Sequence, residues 1–314
     1  MKKLLLLLTA IFSFSGSALA QQDTCRIGLY INSLTDFDIA NQSFSSDFWI
    51  WFNYRNDSLV INDAIEIAHA KEFSSTNFSS EKKGNMNWAQ MKNKAVIEKQ
   101  WDVTNFPFDK QKLTIEIENS YYDADELEFI PDIENSRIDS NLRLKEWNID
   151  SMTFSSMDKI YNTTYGDPEL TGSSVYPAVT ADIYLTRAHS WNTFFKMLTG
   201  VYIAFAIILL AFFVKPTDRL GLCVGGLFAV VGNKYIIESS VPSTVSNTLL
   251  DNIHNLTFVF IFIVLVLAVL SFRWQERGDD KSALNAKKLD MIAFAAVAVL
   301  YLTFNFILVM NAAG

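Results

Sequence analysis

Asn105-Phe-Pro-Phe-Asp-Lys-Gln-Lys-Leu-Thr-Ile-Glu-Ile-Glu118 sets the character of the first half of this chain. From Lys112 onward polar and apolar residues alternate strictly, as in a strand with one face buried and the other in water. Comparable runs lie on either side of it. Arg26-Ile-Gly-Leu-Tyr-Ile31 and Phe48-Trp-Ile-Trp-Phe-Asn-Tyr54 precede it, and Trp147-Asn-Ile-Asp150 and Val179-Thr-Ala-Asp-Ile-Tyr-Leu-Thr186 follow. Turn-forming clusters such as Asn56-Asp-Ser58 and Tyr165-Gly-Asp-Pro168 separate them. Many short strands with turns between them predict a β-sandwich.

Near Ser190 the composition breaks. Residues 21–190 hold fifteen Lys/Arg against twenty-seven Asp/Glu, whereas residues 191–314 hold nine against seven. The second part contains four apolar stretches, roughly 194–214, 220–237, 253–272 and 291–310. Three are long enough to cross a hydrocarbon core of about 30 Å. The second carries Gly221, Gly225, Gly226, Gly232, Asn233 and Lys234, so it suits water or neighbouring helices better than lipid. At the start of the chain, Met1-Lys-Lys3, an apolar run to Phe14 and Ala18-Leu-Ala20 read as a secretory leader. Lys215 and Arg219 in the first connector, and Arg273, Arg277, Lys281, Lys287 and Lys288 in the third, place those connectors in the cytoplasm. The β-domain is then outside, as the leader also requires. The expected division is a leader over 1–20, an outer β-domain over 21–190 and a membrane domain over 191–314.

Several function classes are excluded. Half of the 314 residues are hydrophobic, which disorder does not allow. A net charge of −8 lacks the basic footprint of a nucleic-acid binder. Cys25 and Cys223 cannot form a disulfide framework and are expected to be free thiols. His69, His189 and His254 are scattered, with no nucleophile–base pair, phosphate loop or zinc-ligand spacing, so no enzyme is expected and no cofactor.

The segment from Asn105 to Gln111, with Tyr121-Tyr122 shortly beyond it, resembles the signature loop of the pentameric ligand-gated ion channels, the Cys-loop receptor superfamily. No cysteine flanks the loop here, which resembles the bacterial branch of that superfamily. Gly28-Leu-Tyr-Ile31, Phe44-Ser-Ser-Asp-Phe-Trp-Ile-Trp51, Glu146-Trp-Asn-Ile149, Arg187 and Pro242 fall in the order of the family's other marks. The resemblance implies an extracellular all-β sandwich followed by a four-helix transmembrane bundle. It also implies assembly with four further copies into a homopentamer in the bacterial inner membrane, in contact with lipid. The ligand would bind between outer domains, and the second helix would line the pore. A non-conducting receptor of the same architecture is the alternative.

On a helix turning about 100° per residue, the residues aligned with Phe228 are Thr217, Gly221, Val224, Gly225, Val231, Gly232, Tyr235 and Ser239. As pore lining, this stripe makes Phe228 and Tyr235 two aromatic rings able to gate by dewetting. As a packing surface, its glycines allow close helix approach. Asp218 at the inner end and Glu238 at the outer end are the selectivity candidates, and the acidic outer domain favours cations. Coupling between the halves falls, by the resemblance, to Asp38, Pro107, Asp109, Arg187 and Pro242, with carboxylates and guanidinium forming a buried network or a purely structural cluster. For the ligand, Tyr161, Tyr165 and Tyr176 suit an aromatic cage, with Trp88 or Trp51 opposite; the same aromatics also suit core or turn packing. Asp123, Asp125, Glu126 and Glu128 form an oxygen-rich run suited to calcium modulation or to a solvated face.

Overall fold

The computed structural model describes residues 22–168, 171–240 and 247–314. The leader and Pro242 lie outside the described residues. Ten strands build the first domain: β1 (Asp23–Asp38), β2 (Ser43–Tyr54), β3 (Ile65–Ile67), β4 (Ala70–Lys83), β5 (Met86–Glu98), β6 (Lys110–Asn119), β7 (Leu127–Pro131), β8 (Arg137–Ile138), β9 (Trp147–Tyr161) and β10 (Ser174–Arg187). One sheet runs β4-β5-β2-β1-β7, with β8 beside β1; the other runs β3-β6-β10-β9.

The alternation in the sequence explains the sandwich. Leu113, Ile115 and Ile117 of β6 and Val179, Ala181, Ile183 and Leu185 of β10 are buried. They share one core with Ile27, Leu29 and Ile31 of β1 and Phe48, Ile50 and Phe52 of β2. Where β1 meets β2, Gly28 stands opposite Trp51. The indole fills the space above the glycine so fully that a Cβ there would lie 2.1 Å from Trp51 Cε2. Cys25 is a free thiol in this core, and burial pushes its pKa up to about 12. The strand β4 is an edge strand of 14 residues with no buried position. Its backbone bonds to β5 hold it in place, so no apolar alternation marks it in the sequence.

Four helices follow. They are α1 (Ser190–Leu209, continued by a 3₁₀ turn over Leu210–Phe212), α2 (Pro216–Ser240), α3 (Leu249–Gln275) and α4 (Asp280–Ala313). Each is long and apolar enough to cross a membrane. The helix α3 opens with a capping box, Thr248 and Asp251 satisfying each other's backbone N–H groups. The helix α4 begins well before the apolar stretch at 291. Asp279 caps it by accepting from the Ser282 N–H at 2.8 Å, and its first turns carry Lys281, Lys287 and Lys288. At the centre of the bundle, Tyr301 stacks on Phe205 with centroids 3.9 Å apart, and its hydroxyl lies 2.8 Å from that of Thr257.

The two domains meet through the loop between β5 and β6. Val103 and Phe106 belong to the buried cluster of the helices rather than to that of the sandwich. The Phe108 ring packs 4.8 Å from Trp191 and 5.8 Å from Phe194 at the start of α1.

Candidate functional site

The signature loop brings Asp109 under the end of β10. Arg187 Nε donates to Asp109 Oδ1 at 2.6 Å, and its Nη2 to Oδ2 at 3.1 Å, while the Arg187 N–H donates to the Asp109 carbonyl at 3.2 Å. The guanidinium lies 4.8 Å from the Phe106 ring and 4.2 Å from the Trp147 ring. Gln111 Nε2 adds a bond to Asp109 Oδ2 at 3.0 Å and ties it to the Asp102 carbonyl at 2.6 Å. Arg187 Nη1 lies 3.7 Å from Glu146 Oε2. A buried two-point ion pair holds one geometry firmly. Pro107, in a cis peptide after Phe106, sits in the same loop.

Asp38 stands apart from this pair. It lines a cavity of about 700 Å³ together with Phe106, Glu146, Arg187 and His189, but its carboxylate faces a different partner. Asn41 donates to it from its backbone N–H at 2.8 Å and from its side chain at 2.7 Å. Those bonds, the backbone one foremost, hold Asp38 below the usual carboxylate range. A turn between β1 and β2 needs this cap, which is why the expected three-residue network contains two.

Higher in the outer domain, β6 and the β9–β10 connection frame a second cavity, of about 570 Å³. It is lined by Glu66, Glu118, Ser120, Tyr161, Tyr165 and Tyr176. The three tyrosine rings lie 5.7, 6.0 and 6.5 Å apart, edge to face. Tyr161 O–H reaches Glu118 Oε1 at 2.9 Å and Oε2 at 2.8 Å. Glu118 is only 5% exposed, and burial raises its pKa against the lowering effect of the Tyr161 bond. Burial and the adjacent carboxylate push the Tyr161 hydroxyl up in turn. Three electron-rich rings and two carboxylates line this cavity, a combination that attracts positive charge.

Glu118 and Glu66 were not singled out by the sequence pattern. Glu118 lies near the end of an alternating strand on its polar side, and Tyr161, two strands away on β9, reaches across to its carboxylate. The signal lies in the sequence nonetheless: Glu116 and Glu118 occupy the polar positions of the alternating strand just before Tyr121-Tyr122. Two expected partners are absent from the cavity. Trp51 is held over Gly28 and donates from Nε1 to Asp132 at 3.1 Å. Trp88 lies on β5 in the other sheet, with the Lys83 ammonium 4.2 Å over its ring. A wall contributed by Trp88 would have to come from another copy of the chain.

The acidic run after β6 is not gathered into a binding site. Asp123 Oδ1 accepts from the N–H groups of Asp125 and Glu126 at 2.9 and 3.0 Å, capping its own turn. Asp125, Glu126 and Glu128 are exposed. Among the described residues no group of three His, Cys, Asp or Glu side chains is arranged to hold a metal ion.

The helix α2 divides cleanly into two faces. Arg219, Cys223, Gly226, Val230 and Ile237 are buried against the other helices. A Cβ on Gly226 would lie 2.2 Å from Ile208 of α1, so this glycine permits close packing. Thr217, Gly221, Val224, Gly225, Phe228, Val231, Gly232, Tyr235 and Ser239 are all exposed. Phe228 is 69% exposed and Tyr235 74%. A Cβ on Gly221, Gly225 or Gly232 would meet nothing within 4 Å, so within one chain these three are not packing glycines. At the inner end Asp218 is exposed, while Arg219 turns inward to Asp290 of α4. At the outer end Lys234 bonds both Glu238 and Asp251 of α3, each at 2.9 Å.

Comparison with known proteins shows what the outer domain is similar to. Residues 57–189 match the neurotransmitter-gated ion-channel ligand binding domain family, a family of receptors and channels rather than enzymes. Among curated proteins the chain is similar to the neuronal acetylcholine receptor subunit alpha-5 of Gallus gallus, at 24% identity over 296 residues, covering 84% of this chain and 61% of that one. The alpha-5 subunit of Homo sapiens is 24% identical over 83% of this chain and 58% of its own length. The alpha-6 subunit of Homo sapiens is 26% identical over 54% and 33%. The chain thus spans less than two thirds of the length of these relatives.

Proposed function

We propose that the chain is one subunit of a homopentameric ligand-gated ion channel that conducts cations. One observation carries this reading above the others. Every residue of the Phe228 stripe is exposed along the full length of α2, in a chain whose outer domain matches a channel's ligand binding domain. A membrane-crossing helix that carries Asp218 at one end and three open glycines along one face is poorly matched to lipid and well matched to a shared aqueous axis. In that arrangement Phe228 and Tyr235 form the constrictions, and Asp218 forms the inner acidic ring. The absence of cysteines around the signature loop supports a bacterial inner membrane as its place.

The ligand we assign to the cavity of Glu118, Tyr161, Tyr165 and Tyr176 is a small organic cation. The carboxylates supply charge and the rings supply a polarisable face. The relatives are named as receptors of acetylcholine, which accords with this class. Arg187 and Asp109 connect the sandwich to α1, and the loop carrying Phe106 and Phe108 conveys displacement of the outer domain to the helices.

Single-channel recording from purified protein in a planar bilayer tests the proposal. Unitary currents evoked by small amines, with a reversal potential that follows the cation gradient, are expected. Ligand binding without any current would leave a non-conducting receptor, and a reversal potential tracking chloride would overturn the cation reading.

A further inference from the structure

Asp218 and Arg219 are neighbours in sequence with opposite charges, and they point in different directions. Arg219 is 5% exposed and Asp290, on α4, 7%. Arg219 Nη1 donates to Asp290 Oδ1 at 2.9 Å and Nη2 to Oδ2 at 2.7 Å, while Nε reaches the Val214 carbonyl at 3.3 Å. The guanidinium is thereby held on the side of α2 about 180° from Phe228. Asp218 stays exposed, touched only by the Thr217 hydroxyl at 3.1 Å among its side-chain hydrogen bonds. Lys215 precedes the helix and lies outside the stripe.

We propose that Asp290 is a specificity-determining positioning residue: by sequestering Arg219 inside the bundle, it leaves the Asp218 ring as the uncompensated charge at the inner mouth. The inference rests on the cation-channel reading above. Asp290 touches no ion; it acts through Arg219 from a helix remote from the pore axis. Without it, the guanidinium loses its buried partner and moves toward water. The water nearest α2's inner end is the mouth itself, where Asp218 offers a new carboxylate one residue away. Each subunit then contributes a cation beside its anion, and the local enrichment of cations collapses.

The test is the reversal potential of the full-length channel in a bilayer under a salt gradient. Asp290→Asn is expected to lower the cation-to-anion permeability ratio on the order of tenfold, the lower end of what a one-sign cleft contributes. Arg219→Gln combined with Asp290→Asn removes the freed cation and is expected to restore wild-type selectivity. Arg219→Lys is the second single variant, because an ammonium cannot grip both carboxylate oxygens while conserving charge. It should shift the ratio in the same direction by a smaller factor, and it keeps the test open if Asp290→Asn fails to assemble. Wild-type selectivity in Asp290→Asn or Arg219→Lys would overturn the assignment, as would persistent loss of selectivity in the double variant. Asp218→Asn separates the two levels. If it leaves selectivity intact, the acidic ring itself is wrong; if it abolishes selectivity while Asp290→Asn does not alter it, only the role of Asp290 falls.

Discussion

Glu118 carries the most consequential chemistry of any single side chain in the outer domain. An isolated glutamate titrates at about 4.3, and burial moves Glu118 above that. A cationic ligand prefers the ionised form, so affinity is full above the shifted pKa and falls as the pH drops through it. Glu118→Gln should both weaken binding and flatten this acid limb, measured as agonist concentration–response curves between neutral and mildly acidic pH. Tyr161→Phe removes the hydroxyl that bonds both carboxylate oxygens. A hydrogen bond to a charged group contributes about 1.5 kcal/mol or more, so the half-maximal agonist concentration should rise about tenfold. A residue's neighbours across strands were the part least visible in the amino-acid order. Arg219 could be placed on the far side of α2 by counting turns, but nothing local to it points to Asp290, which lies 71 positions away. Asp38 shows the converse: family order placed it at the junction, and a local Asx turn with Asn41 claimed its carboxylate.

At the level of elements, the loop between β5 and β6 joins sandwich and bundle. Its aromatic side chains are in the helix core and its aspartate is clamped by Arg187. Arg187→Ala leaves Asp109 buried and unpaired, an effect of about 3–5 kcal/mol. Thermal unfolding of detergent-purified protein should register that loss, with reduced surface assembly. Arg187→Lys keeps a charge but not the two-point grip, and should assemble with slowed or weakened gating. Normal assembly with unchanged gating in Arg187→Ala would remove the loop's coupling role. Strands β1, β2, β6, β9 and β10 announced themselves through apolar alternation or aromatic runs. The strand β4 did not, since it is exposed beyond Ala70 and owes its conformation to backbone pairing with β5. In the acidic run at 123–128, spacing in sequence does not reveal that Asp123 caps its own turn.

For the whole molecule, the exposed Phe228 stripe is the feature that a single chain cannot satisfy. If copies of the chain share a common axis, as proposed, rings of Phe228 and Tyr235 would be the narrowest points, with width between them at the glycines. Phe228→Ala should then raise the conductance recorded without ligand, because a wider, more polar constriction stays wetted. If Phe228 instead faced lipid, the substitution would leave resting current unchanged. Gly225→Leu is the complementary probe: the open space around it accommodates a side chain within the chain, so folding should survive while unitary current falls.

Asp251 serves two helices at once. Its carboxylate accepts the Thr248 N–H and hydroxyl that start α3, and it accepts the Lys234 ammonium from α2. The first turn of α3 and the azimuth of the neighbouring helix are therefore indexed to one oxygen pair. Rotating α2 about its own length therefore drags Lys234 away from Asp251, and the thread pulled is the knot that keeps the next helix from fraying.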